Sequence, residues 1–143
     1  MTRDLGRCHE FKEYRHCISM AFTPLSIAAQ FGHVQEVLTL IDTGADINAC
    51  NHIGWTPLSM AAGNGHDRVV KALIAAGVDI DMVDDIGWTP LLKATEYGHE
   101  TTVQILIEAG ADINKKSYSG MTPMINAILK GRETILQMLI AAK

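Results

Sequence analysis

Cys8, His9, His16 and Cys17 bring two thiols and two imidazoles into one short segment of the chain. That inventory could in principle hold zinc. The spacing argues against it, because adjacent ligands rarely reach one tetrahedral ion together, and on a helix the two pairs would lie more than two turns apart. His33, His66 and His99 are the next candidates, as proton-transfer groups. Each follows a glycine, they recur at a fixed interval, and Arg132 fills the same slot in a fourth copy. Three copies of one slot do not make a triad, and an arginine in that slot suits a capping role instead of proton transfer. These residues are expected to bond backbone groups at helix termini. The chain has no phosphate-cradling glycine loop, no metalloprotease helix motif and no paired acids outside the repeating slots. The residues therefore give no catalytic site, no metal and no cofactor, and the expectation is that the chain is not an enzyme.

The interval between the histidines carries more information than the imidazoles. Thr-Pro occurs at 23–24, 56–57, 89–90 and 122–123, always 33 residues apart, and uses all four prolines of the chain. Gly32, Gly65, Gly98 and Gly131 keep the same period, as do Gly54, Gly87 and Gly120, and the Leu-Ile pairs beginning at Leu40, Leu73, Leu106 and Leu139. A fixed period of this length means one supersecondary unit copied and stacked. Thr accepts hydrogen bonds from free amides at a helix start, and Pro fits the first turn because its missing N–H had no partner there. Helices are thus predicted to begin at Pro24, Pro57, Pro90 and Pro123 and to stop by the glycine eight residues on. A second helix follows, over about Val34–Thr43 in the first copy, with Val37, Leu40 and Ile41 on one face. Ala-Asp-Ile-Asn and a glycine-containing segment then lead to the next Thr-Pro as a turn or hairpin finger. Helices this short are marginal alone, so stacking must supply the core.

Thr-Pro-Leu-Ser-Ile-Ala-Ala at 23–29, Gly-Trp-Thr-Pro-Leu-Ser-Met-Ala-Ala at 54–62, Gly-Trp-Thr-Pro-Leu-Leu-Lys-Ala at 87–94, and Gly-Ala-Asp-Ile-Asn at 44–48 and 110–114 resemble the ankyrin-repeat family. The resemblance covers about 18–143 and implies an all-α solenoid of helix-turn-helix units with hairpin or loop fingers. The repeats run at about 18–50, 51–83, 84–116 and 117–143, the last lacking its finger, after an N-terminal capping segment at 1–17. The family usually has His two residues after the proline. Here those positions are Ser26, Ser59, Leu92 and Ile125, which puts the associated cross-repeat hydrogen bonding in doubt.

Apolar residues make up 48% and charged residues 20% of the 143 residues, the composition of a soluble globular chain. No apolar run is long enough to span a bilayer, and the first residues show no apolar signal-peptide core. Three cysteines without framework spacing argue for a reducing compartment, so a cytoplasmic location, with the nucleus as a further one, is expected. The net charge of −4 is uneven. Residues 1–35 hold four basic and three acidic groups, 36–112 three basic and twelve acidic, and 113–143 five basic and one acidic. The acidic middle disfavours nucleic acid as the main partner, since phosphate contacts need clustered Lys and Arg. Phe11, Tyr14 and Ile18 give the N-terminal segment an amphipathic helical pattern suited to covering the first repeat. The last copy is apolar on more than one side, at Ile128, Leu129, Ile135, Leu136 and Met138 among others. Self-association through it is one expected consequence.

The resemblance implies a non-catalytic protein-interaction module, a scaffold or adaptor that binds a protein partner through the concave groove and fingers. The alternative is a targeting segment of a larger enzyme or host-directed effector. Stacking aligns Phe22, Trp55, Trp88 and Met121 in one row. The fingertips add Ile53, Ile86 and Tyr118, and the first helices add Phe31, Met60, Asn64, Lys93 and Tyr97. Aromatics and Met in a groove are what interface hot spots are made of. The acidic middle favours a partner with a basic or mixed apolar patch. The resemblance further implies that Asn48 and Asn114, each eight residues after a leucine, are candidate substrates of an asparaginyl hydroxylase. Asp81 replaces Asn in the second copy.

Overall fold

The computed structural model of the chain describes residues 23–143. Phe22, the Cys8–Cys17 cluster and the expected capping segment lie outside the described residues. Eight helices are described: α1 Pro24–Phe31, α2 Val34–Asp42, α3 Pro57–Gly63, α4 Asp67–Ala75, α5 Pro90–Glu96, α6 Glu100–Glu108, α7 Pro123–Lys130 and α8 Glu133–Ala141. No strand occurs among the described residues, so the fingers are chains of turns.

Each first helix starts where Thr-Pro predicts. Thr23, Thr56, Thr89 and Thr122 accept from the backbone N–H three residues on, at 3.0 to 3.1 Å. At Thr56 the cap is reciprocal, because Ser59 Oγ accepts from the Thr56 N–H at 2.9 Å, a capping box built without Glu. Gly32 and Gly131 close α1 and α7 at φ 75° and 70°, the left-handed conformation that costs glycine no Cβ clash.

The units stack in two layers. First helices pack in the series α1, α3, α5, α7, and second helices in the series α2, α4, α6, α8. Small residues at Ala28, Ala29, Ala61, Ala62, Ala94 and Ala127, each no more than 1% exposed, let the first helices approach closely. Between the layers lie Leu25, Leu58 and Leu91, with Val37, Val70 and Val103, then Leu73, Leu106 and Leu139, all buried. This continuous core explains why seven- to nine-residue helices persist, since packing supplies what propensity cannot.

The last repeat breaks the pattern on its outer face. Ile128 is 59% exposed, whereas Ala29, Ala62 and Thr95 in the same slot are fully buried. Ile125, Leu129 and Ile140 are also exposed, so the apolar surface expected there is present. Lys115 and Lys116 are exposed where the earlier copies bury Ala49 and Cys50, then Met82 and Val83. Cys50 is buried.

Candidate partner-binding groove

One residue organises each finger. Asn51 Oδ1 accepts from the N–H groups of Ile53 and Trp55, both at 3.0 Å. Asp84 Oδ1 does the same for Ile86 at 3.0 Å and Trp88 at 2.9 Å. Ser117 Oγ accepts from Met121 N–H at 3.1 Å in the fourth copy. A backbone bond from each organiser to the Trp or Met carbonyl closes the turn: Asn51 to Trp55, Asp84 to Trp88 and Ser117 to Met121. Gly54 and Gly87 turn the chain at φ 82° and 84°. They also let neighbouring fingers touch, since a Cβ at Gly54 would lie 2.9 Å from Asp84 Cα, and one at Gly87 would lie 2.7 Å from Tyr118 N. The fingers are strung together by Asp85 N–H donating to Ile53 O at 3.1 Å and Tyr118 N–H donating to Ile86 O at 3.2 Å.

This scaffold holds Trp55 and Trp88 half-buried on the groove side of consecutive fingers. Beneath them Lys93 Nζ lies 2.8 Å from Asp84 Oδ2, a pair with both side chains at most 6% exposed. The same ammonium sits 4.1 Å from the Trp55 ring centroid and 5.6 Å from that of Trp88. Buried charge is tolerated only when matched, and here carboxylate and ring faces share one cation. Two open cavities of about 490 and 530 Å³ meet at Trp55, Lys93 and Tyr97. Ile53, Ile86 and Trp88 wall the first, and Met60, Asn64 and His99 the second. Together they form one trough across the second and third repeats.

Cross-repeat bonds tie together the repeats that carry the trough. His66 Nε2 contacts Gln30 O at 2.9 Å, His99 Nε2 contacts Gly63 O at 2.9 Å, and Arg132 Nη2 donates to Glu96 O at 2.9 Å. The periodic His/Arg slot is thus a structural tie from each repeat to the first helix of the one before. His33 instead contacts Glu36 Oε1 at 3.3 Å on the surface. A second tie runs from Asp79 N–H to Asn48 Oδ1 and from Asp112 N–H to Asp81 Oδ1, both 3.0 Å. Cross-repeat bonding therefore survives without His after the proline, carried by other slots. At the edge of the trough Asn126 Nδ2 donates to Glu96 Oε1 at 2.8 Å and Lys130 pairs with Oε2 at 3.2 Å. The Asn126 bond above all holds the Glu96 carboxyl below its ordinary pKa. Partial burial opposes it, and Lys130 and Arg132 reinforce it.

A family model for ankyrin repeats in three copies matches residues 8–84 and again 59–143. The chain belongs to the ankyrin-repeat family. A search of curated proteins returned no match. Ankyrin repeats are generally protein-interaction modules and typically non-catalytic. Among the described residues no helix is long and apolar enough to cross a membrane, and no three His, Cys, Asp or Glu side chains converge as metal ligands.

The ankyrin scaffold sorts the candidate partner-binding residues by depth. Phe31, Ile86, Tyr97 and Tyr118 are the most exposed, at 60%, 58%, 57% and 71%, with Ile53 at 38%. Trp55, Trp88 and Met121 are half-buried, and Asn64 is exposed with its amide bonded to Met60 O. Met60 and Lys93 are 3% and 5% exposed. They line the floor of the trough, below the exposed side chains of Ile86 and Tyr97. Asn48 is half-buried and spends its side-chain oxygen on the next repeat, while Asn114 is exposed. The residue missed in the sequence is Asp84, the partner that lets Lys93 be buried. Slot comparison carries its signal: Asn51 accompanies Met60, and Asp84 accompanies Lys93.

Proposed function

We propose that this ankyrin-repeat chain is a non-catalytic adaptor that binds a protein partner through the trough bounded by the second and third fingers. The observation that carries the reading is the pair of half-buried indoles, Trp55 and Trp88, flanked by exposed Ile86 and Tyr97 on a tied scaffold. Large aromatic groups with part of their surface uncovered are the usual energetic centre of an interface. A rigid stack also presents them at low ordering cost.

The test compares capture of partners from a cell extract by wild type, by Trp88→Ala and Tyr97→Ala, and by Lys71→Ala on the exposed outer side of α4. Quantitative mass spectrometry reads the bound proteins and melting curves check the fold. Proteins lost from both groove variants and kept by Lys71→Ala support the reading. Partners retained equally by all variants would sink it. Trp88→Ala is expected to cost about 2 kcal/mol or more in affinity for such a partner.

A further inference from the structure

We infer that the trough selects a protein segment in which an apolar side chain lies close to an arginine or lysine that meets Asp85. The inference rests on the groove reading above and adds the chemistry of the partner.

The apolar half follows from the walls. Ile53, Ile86 and Trp88 bound a cavity of about 490 Å³, within the roughly 300–1,000 Å³ of ligand pockets. The mouth is apolar where Ile86 and Tyr97 stand more than half exposed.

The basic half follows from the charges that line the same cavity: Asp84, Asp85, Lys93 and Glu96. Asp84 is matched by Lys93 at 2.8 Å. Glu96 is matched by Lys130 at 3.2 Å and by the Asn126 amide. Asp85 is exposed and has no ion pair among the described residues. One carboxylate therefore remains uncompensated at the rim of an apolar trough. Lys93 already holds the place over the Trp55 ring, so an incoming cation finds its complement at Asp85 and not over that indole. Like charge from a partner would be repelled there.

Side chains must carry the recognition, because the finger backbone is spent. The N–H groups of Ile53, Trp55, Ile86 and Trp88 bond the organisers Asn51 and Asp84. Those of Asp85 and Tyr118 bond the neighbouring finger. A partner strand finds no row of free donors to pair with.

The probe is a random-peptide phage library panned in parallel on the intact 143-residue chain, on Asp85→Lys and on Ile86→Ser. The exposed Asp85 side chain has no ion pair to lose among the described residues, so the variant should fold; melting curves confirm it for both. Wild type should enrich peptides pairing an apolar or aromatic residue with a nearby Arg or Lys. Asp85→Lys should bind those peptides at least about tenfold more weakly and enrich acidic ones in their place. Ile86→Ser should weaken both sets. Peptides that require Ile86 but show no basic preference, or no change with Asp85→Lys, would overturn this inference and leave the groove reading standing. Peptides indifferent to Ile86, or no enrichment at all, would overturn both.

Discussion

The second and third repeats have the same backbone and opposite polarity. Asn51, Met60 and Gly63 in the second become Asp84, Lys93 and Glu96 in the third. Both fingers keep the same bonds from organiser to Trp, within 0.2 Å. The second repeat keeps these slots uncharged, with the Asn51 amide, the apolar Met60 and no side chain at Gly63. The third repeat answers the charges in these three slots with other groups: Lys93 for Asp84 inside the repeat, and Asn126 and Lys130 of the next repeat for Glu96. A slot turned inward therefore accepts a charge where a neighbouring slot changes with it. The reason is energetic, since an unpaired buried ion costs several kcal/mol.

The largest expected effect breaks that compensation. Lys93→Met should destabilise by about 3–5 kcal/mol, because it leaves the Asp84 carboxylate buried against apolar neighbours. Asp84→Asn should also destabilise, by stranding the ammonium. The double variant recreates the Asn51/Met60 pair of the second repeat. It should recover to wild-type stability or above, since apolar replacements of buried pairs are often neutral or stabilising. Chemical denaturation of the four proteins measures the coupling. A double variant as weak as the sum of the singles would show that the two repeats are not interchangeable designs.

How legible this is in the sequence differs between the two repeats. The 33-residue period, the Thr-Pro helix starts, the glycine turns and the row of indoles can all be read, because each rests on local backbone chemistry repeated in register. Lys93 reads as a surface residue of the groove. Its burial depends on Asp84, nine residues earlier in a different structural element, and on two rings that close over it only after stacking. Met60 likewise reads as lying on the exposed side of its helix and is 3% exposed, because depth within a slot is set by its neighbours. The histidines read as backbone ligands, and His66 and His99 are. That they tie repeats together is not visible, because the acceptors Gln30 and Gly63 lie 36 residues away.

The shared finger geometry makes a second, smaller prediction. Gly87→Ala and Gly54→Ala combine a positive φ with a backbone contact under 3.0 Å, whereas Gly120, at φ 90°, has nothing within 4 Å of its would-be Cβ. Gly120→Ala should cost about 1 kcal/mol from conformation alone. The other two should cost clearly more, and about equally, if the neutral and charged repeats share one backbone. Equal melting temperatures for all three variants would mean that the fingers yield to the added methyl.

The slot of Gly63 and Glu96 holds Leu129 in the last repeat, 68% exposed. Here neither small size nor a matched charge settles the slot. We propose concentration-dependent self-association through this face. Leu129→Glu should weaken it by about 1.5 kcal/mol, roughly tenfold in the association constant. Sedimentation equilibrium decides the matter. A wild-type chain that stays monomeric at high concentration would remove the proposal.

The smallest effect concerns Glu96 itself and has a definite sign. Its carboxyl is held below the ordinary value, chiefly by the Asn126 amide, against the pull of partial burial and with help from Lys130 and Arg132. A carboxyl whose folded pKa is depressed contributes stability that is fully present above its unfolded value, about 4.3, and is lost as pH falls through the lower folded value. The pair with Lys130, half-exposed on the lysine side, should add less than about 1 kcal/mol of this. Glu96→Gln keeps an acceptor for Asn126 but removes the titration. Its stability should lie slightly below wild type at neutral pH, and the two curves should converge as the solution is acidified past the carboxylate range. Curves that stay parallel throughout would show that the charge on the third repeat is carried by this site without being stabilised by it. The compensation seen for Asp84 would then be a property of deep slots only.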